Sequence, residues 1–338
     1  MCVCVCVCVC IVHEIAGQAY GARDYATVGY NFQCALLLAT AIGIFPVSVI
    51  WIFSRSILLF LGQEETVSTD AGKFLTIIVP SIFTFAYRQC IQIWCQAQGI
   101  VRPFTYNAFA AFVFSMPITY VLVRRDGFVG GAVAQIIITT MMFGFDAGYV
   151  ICSGAYKKTW REFSLEKASY SLKRMFKLAV LSQIMSTEWW ASEITVLMAG
   201  RLYPDDADAD KNAIVLSAMA CFMAINYTCL MLLIGPQLAT ATRTSNRLGG
   251  SSPLDAGISA VSGIIVSSII GVVMGIFLII FRDGISASLT SDIAVVALVR
   301  RIMWPLGTSY TACTHFFTCF CLSRKVSSSS DEPTEGTN

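Results

Sequence analysis

The sequence predicts an all-α integral membrane protein, folded as a two-lobed, pseudo-symmetric helical bundle. Three observations carry that prediction. Apolar residues make up 56% of the chain and charged residues only 13%, where a soluble domain carries roughly a quarter charged. The apolar residues fall in runs of about 20, the length of a helix that crosses a bilayer. A weak internal repeat relates the two halves: Gly17-Gln18-Ala19-Tyr20-Gly21-Ala22 precedes the first full run much as Ser245-Asn246-Arg247-Leu248-Gly249-Gly250 precedes the seventh, and Pro80 and Pro305 occupy comparable runs. Internal repeats of this kind place a binding site between two lobes.

Along the chain, the opening alternation Cys2-Val3-Cys4-Val5-Cys6-Val7-Cys8-Val9-Cys10 is what a TG dinucleotide repeat spells in translation. It predicts that residues 1–16 are a gene-model artefact, to be kept out of the fold. A first lobe is expected over 17–152, with apolar runs at 28–52, 73–98, 104–123 and 128–152, separated by polar turns such as Arg124-Arg125-Asp126-Gly127. Residues 153–174 change character: Lys157, Lys158, Arg161, Lys167, Lys173 and Arg174 make an amphipathic basic connector, cytoplasmic by the positive-inside rule. A partial second lobe follows over 175–312, with runs at 175–200, 212–237, 254–281 and 292–312. Counting turns from the connector puts the acidic loop 205–210 outside, and Arg23, Arg102, Arg243 and Arg247 inside. Residues 313–338 read as a disordered tail, and Asn226-Tyr227-Thr228, a glycosylation sequon inside a span, as unused.

Several function classes are excluded by what the chain lacks. No basic patch with interleaved aromatics suggests a nucleic-acid partner. His13 and His315 are the two histidines, and the nine cysteines after residue 10 form no C-x-x-C, so no metal site and no cofactor is expected. No Ser/His or Cys/His constellation points to an enzyme.

The stretch that stands out is Thr187-Glu188-Trp189-Trp190-Ala191-Ser192-Glu193, two carboxylates and two indoles inside an apolar run. A carboxylate at mid-bilayer costs roughly 2.5–3.5 kcal/mol on insertion scales. Five residues separate the acids, about 140° around a helix and about 7.5 Å along it. That spacing rules out a dyad sharing one proton and suits two stations along a cavity wall. A carboxylate held between desolvation and a nearby cation can exchange its proton for a cationic solute, and an indole face can hold an organic cation. The plainer reading, that each acid is hydrogen-bonded and orders helix packing, also fits.

Gln89, Gln92 and Gln96 fall at i, i+3 and i+7 and share one helix face. In lipid such a face must line protein or water. Asp146 lies between Gly144 and Gly148, a G-x-x-x-G spacing expected to let a neighbouring helix approach. Pairing of Asp146 with Arg88 is expected from the cost of leaving either charge alone. Pro46, Pro80, Pro117, Pro236 and Pro305 each interrupt a run and permit a bend.

Five stretches in order resemble the multidrug and toxin extrusion (MATE) transporters of the eukaryotic type. They are Gly17 to Ala22; Phe45-Pro46-Val47-Ser48-Val49-Ile50-Trp51; Gln96 to Pro103; Glu188 to Glu193 with Ala199-Gly200; and Pro236 with Thr242 to Gly249. The resemblance implies a twelve-helix architecture in two six-helix lobes. It also implies proton- or sodium-coupled antiport of small organic, often cationic, solutes by a monomer in the plasma membrane or a vacuolar-type membrane. On that register about eight full spans are present, from the end of helix 2 to helix 10. Glu188 and Glu193 would be the coupling acids, and Trp189, Trp190, Gln89, Gln92, Gln96 and Asp146 would line the cavity. Two features depart from the family pattern: Arg247 replaces an acidic or neutral residue, and no carboxylate follows Asp292 in the last span. The alternatives are a non-transporting truncated remnant and a lipid-linked sugar flippase of the same superfamily.

Overall fold

The computed structural model describes residues 15–63, 65–160, 194–196, 198, 209–290 and 292–307. Every regular element among them is helical, as the composition predicts. Residues 1–14, the connector from 161 on, the Glu188 to Glu193 stretch and the tail lie outside the described residues.

Two compact units form. One contains the described residues up to 160 together with Ser245–Ser251, and the other contains 194–244 and 252–307. In the first unit, helical residues 15–21 lead into α1 (Tyr25–Ile52). Asp24 caps α1 by accepting from the Thr27 amide at 3.1 Å. These bonds from Thr27, its hydroxyl first, hold the Asp24 carboxyl below the usual carboxylate range against a smaller opposing effect of burial. Within α1, Ala39–Ile44 widens to a π-helix just before Pro46. Proline has no N–H and its ring crowds the preceding turn, and the looser π turn accommodates both.

A short helix, α2 (Ser54–Phe60), turns the chain into α3 (Glu65–Ala97). Phe32 stacks on Trp94 with centroids 4.7 Å apart, and Thr40 meets the Tyr87 hydroxyl at 3.1 Å. The paired numbers rise in one helix as they fall in the other, so α1 and α3 are antiparallel. At the end of α3 the Gly99 amide donates to Gln96 and that of Ile100 to Cys95. Gly99 takes φ +78, so this closing turn requires a residue at ease in the left-handed region.

α4 (Arg102–Ser153) consists of two helical arms that meet at a kink. A straight helix of its 52 residues would run about 78 Å, far beyond the roughly 30 Å hydrocarbon core. At Gly127 the backbone takes φ 60 and ψ −134, a conformation open chiefly to glycine. There the chain reverses. Asn107 on the first arm reaches Asp146 on the second, and a Cβ on Gly130 would collide with the Leu122 carbonyl. The two arms are the runs 104–123 and 128–152 expected from the sequence, with the turn where Arg124 to Gly127 placed it.

The second unit contains most of α5 (Ala209–Gly249), α6 (Pro253–Ile280), α7 (Arg282–Leu289) and α8 (residues 293–307). Its core joins Ile225 and Leu233 of α5, Met274 and Leu278 of α6, and Val295, Val299 and Met303 of α8. The order long helix, short helix, long helix in α1 to α3 recurs in α6 to α8.

Candidate functional site

Three helical segments of the first unit converge on Asp146. Arg88 Nε, from α3, lies 2.9 Å from Asp146 Oδ2. Asn107 Nδ2, from the first arm of α4, donates to Asp146 Oδ1 at 2.7 Å and to the Met142 carbonyl at 2.9 Å. The Asp146 side chain is 0% exposed and that of Arg88 12%. The pairing of Arg88 with Asp146 is as expected. Seven residues separate Asp146 from the end of α4, about 10 Å along the helix, so the group lies at bilayer depth on the connector side. Breaking such a pair leaves a buried charge uncompensated, a loss of about 3–5 kcal/mol.

Among the described residues no helix closes on Gly144 or Gly148: a Cβ on either would meet none of them. Asp146 reaches its partners through a long arginine and an asparagine. The close approach between the two arms of α4 is at Gly130.

Of the three glutamines, Gln89 and Gln92 are half-buried and Gln96 is buried. Gln96 Oε1 has no hydrogen-bond partner among the described residues, and neither do the Trp94 indole N–H and both amide atoms of Asn31. Phe32 stacks on Trp94, so Asn31 lies at the level of these two residues, where α3 ends. These buried amide and indole groups give this end of the first unit a polar interior. Asn31 and Asn107 escaped the sequence reading. The available signal was an amide inside each apolar run, and only the α1/α3 and α4 registers show what each faces.

The two stretches of the internal repeat meet within this unit. A Cβ on Gly21 would collide with the Asn246 carbonyl, one on Gly249 with the Gln18 carbonyl, and one on Gly17 with the Ser245 side chain. Asn246 Nδ2 donates to the Ala97 carbonyl at 3.4 Å. The last turn of α5 is thus seated, backbone against backbone, on helical residues 15–21 and the end of α3. Glu188, Trp189, Trp190 and Glu193 lie outside the described residues.

Five membrane-length apolar helices among the described residues, one of them doubled at Gly127, and a charge pair buried within them define a multi-pass helical membrane protein. The chain belongs to the MatE family, whose model matches residues 12–121 and 181–328. Protein DETOXIFICATION 38 of Arabidopsis thaliana is 34% identical over 86% of this chain and 56% of its own length. Protein DETOXIFICATION 39 of the same organism is 32% identical over the same shares. The chain therefore spans just over half the length of these curated relatives. Among solved structures, the eukaryotic MATE transporter AtDTX14 matches with a TM-score of 0.82 at 22% identity, over 91% of this chain and 67% of that one. A MATE transporter of Vibrio cholerae matches with a TM-score of 0.72 at 16% identity, over 92% and 69%. At these identities the structures establish the shared fold.

Proposed function

We propose that this chain exports small organic, cationic solutes by antiport against protons or sodium ions. The observation that carries the reading is the family match across both halves, which includes the stretch bearing Glu188 and Glu193. In this reading those two acids exchange the coupling ion for the solute, and Trp189 or Trp190 offers a face to the cation. Gln89, Gln92 and Gln96 give the cavity its neutral polar wall. Asp146 has a fixed partner in Arg88, which suits it to hold three helical segments in register as a positioning residue.

The reading is tested in proteoliposomes loaded at acid pH and diluted into alkaline buffer containing tetraethylammonium. Uptake should exceed that of empty liposomes, collapse with a protonophore, and fall about tenfold or more in Glu193→Gln. If a sodium gradient drives uptake and a proton gradient does not, the coupling ion is sodium. Uptake equal to that of empty liposomes under both gradients would overturn the proposal.

A further inference from the structure

The second unit carries a group of arginines that the export reading does not use. Arg282 opens α7, Arg300 and Arg301 lie two turns into α8, and Trp304 follows one turn later. With Ala297 they line a cavity of about 360 Å³. Asp283 is the carboxylate beside it: its Oδ1 lies 2.6 Å from Arg300 Nε and 3.7 Å from Arg282 Nε. Arg301 has no ion pair among the described residues. Three guanidiniums against one carboxylate leave a net charge of +2.

The group lies at a definite depth. α6 is 28 residues long, about 42 Å, and starts just after Arg243 and Arg247, which the positive-inside rule puts on the connector side. Its far end, and Arg282 directly after it, therefore lie at the opposite face of the bilayer. The Asp283 contact brings Arg300 to the same level, although Arg300 is already about 12 Å inside α8. Trp304 sits slightly deeper, at the interfacial position that tryptophan favours. Basic residues gather on the cytoplasmic side of membrane proteins, so three arginines around one concavity at the outer face call for a counter-charge that the described residues supply only in part.

We infer that this cavity binds an anionic phosphate group at the outer headgroup level, on a phospholipid or as a soluble phosphate. Arg301 and Arg282 are the principal donors. A guanidinium presents paired N–H groups that match two phosphate oxygens, and Trp304 packs against the apolar part of a lipid. Asp283 holds Arg300 in the wall and keeps the site from closing on its own charges.

The test is native mass spectrometry of the full chain, released from detergent containing equal phosphatidic acid and phosphatidylcholine. The wild type should retain the anionic lipid about tenfold more than the zwitterionic one, and Arg301→Gln should lose most of that preference. Arg301→Lys should keep part of it. Because Arg301 is exposed and has no ion pair among the described residues, its substitution leaves the fold intact, which the thermal midpoint verifies. Excess inorganic phosphate separates the sources: unchanged lipid retention assigns the site to a headgroup, and displacement assigns it to a soluble phosphate. Equal retention of the two lipids together with no phosphate effect, or a preference unchanged in the Arg282→Gln/Arg301→Gln double variant, would overturn the inference.

Discussion

Each unit contains an arginine–aspartate pair in close contact, Arg88 with Asp146 and Arg300 with Asp283, and the two pairs behave as different objects. Arg88 and Asp146 meet at 2.9 Å with 12% and 0% of their side chains exposed. Arg300 and Asp283 meet at 2.6 Å with 53% and 61% exposed. Distance alone would rank the second pair as the stronger. Burial reverses the order, because an exposed pair is screened and contributes about 0–1 kcal/mol, whereas either member of the buried pair becomes a lone charge in an apolar medium when its partner is removed. The buried pair constrains the fold. The exposed pair leaves its neighbouring arginines available to a ligand.

The largest expected effect is at the buried pair. Asp146→Ala should destabilise the first unit by about 3–5 kcal/mol, read as a sharp fall in the thermal midpoint and in the yield of monodisperse protein. A smaller loss, within 1 kcal/mol, would place Arg88 and Asp146 in the exposed class. Gly127→Val comes next. It forces a β-branched residue into φ 60, ψ −134, a strain of about 1–3 kcal/mol, and shifts the register that sets Asn107 opposite Asp146. Combined with Asp146→Ala it should cost less than the sum of the two changes, since both act on one contact.

A smaller effect is expected at the start of α1. The bonds from Thr27 keep the Asp24 pKa below its ordinary value. Its contribution is therefore present above the ordinary aspartate range and lost as pH falls through the lowered value. Asp24→Ala should remove about 1 kcal/mol at neutral pH, and its thermal midpoint should converge with that of the wild type in strong acid. The smallest effect is expected for Asp283→Ala, about 0–1 kcal/mol, with denaturation in high salt narrowing the difference further. A loss comparable to that of Asp146→Ala would erase the contrast between the units.

Much of this was legible in the sequence, for reasons that differ by residue. Spans are legible because bilayer thickness sets helix length, so the runs at 104–123 and 128–152 could be separated at Gly127 without coordinates. The Arg88–Asp146 pair was legible because two lone charges in lipid are costly enough to predict each other. Asn107 was not: an asparagine in an apolar run is ambiguous until the hairpin register shows that it faces Asp146. At Gly144 and Gly148 the G-x-x-x-G spacing permits close approach without requiring it, and none of the described residues takes that place. The grouping of Arg300 and Arg301 with Arg282 was not legible, since it depends on where α7 turns. Two motifs, Gly17 to Ala22 and Ser245 to Gly250, were read as a repeat, and the structure adds that they touch.

Whether Asp146 positions helices or couples ions is decided by gradient-driven uptake in proteoliposomes by the neutralised double variant Arg88→Gln/Asp146→Asn, set beside Glu193→Gln. The double variant, with no charge left unpaired, is expected to transport at a rate close to that of the wild type, while Glu193→Gln transports about tenfold less or worse. The reverse pattern, with uptake lost in a folded double variant and retained in Glu193→Gln, would contradict that expectation and move ion coupling to Asp146.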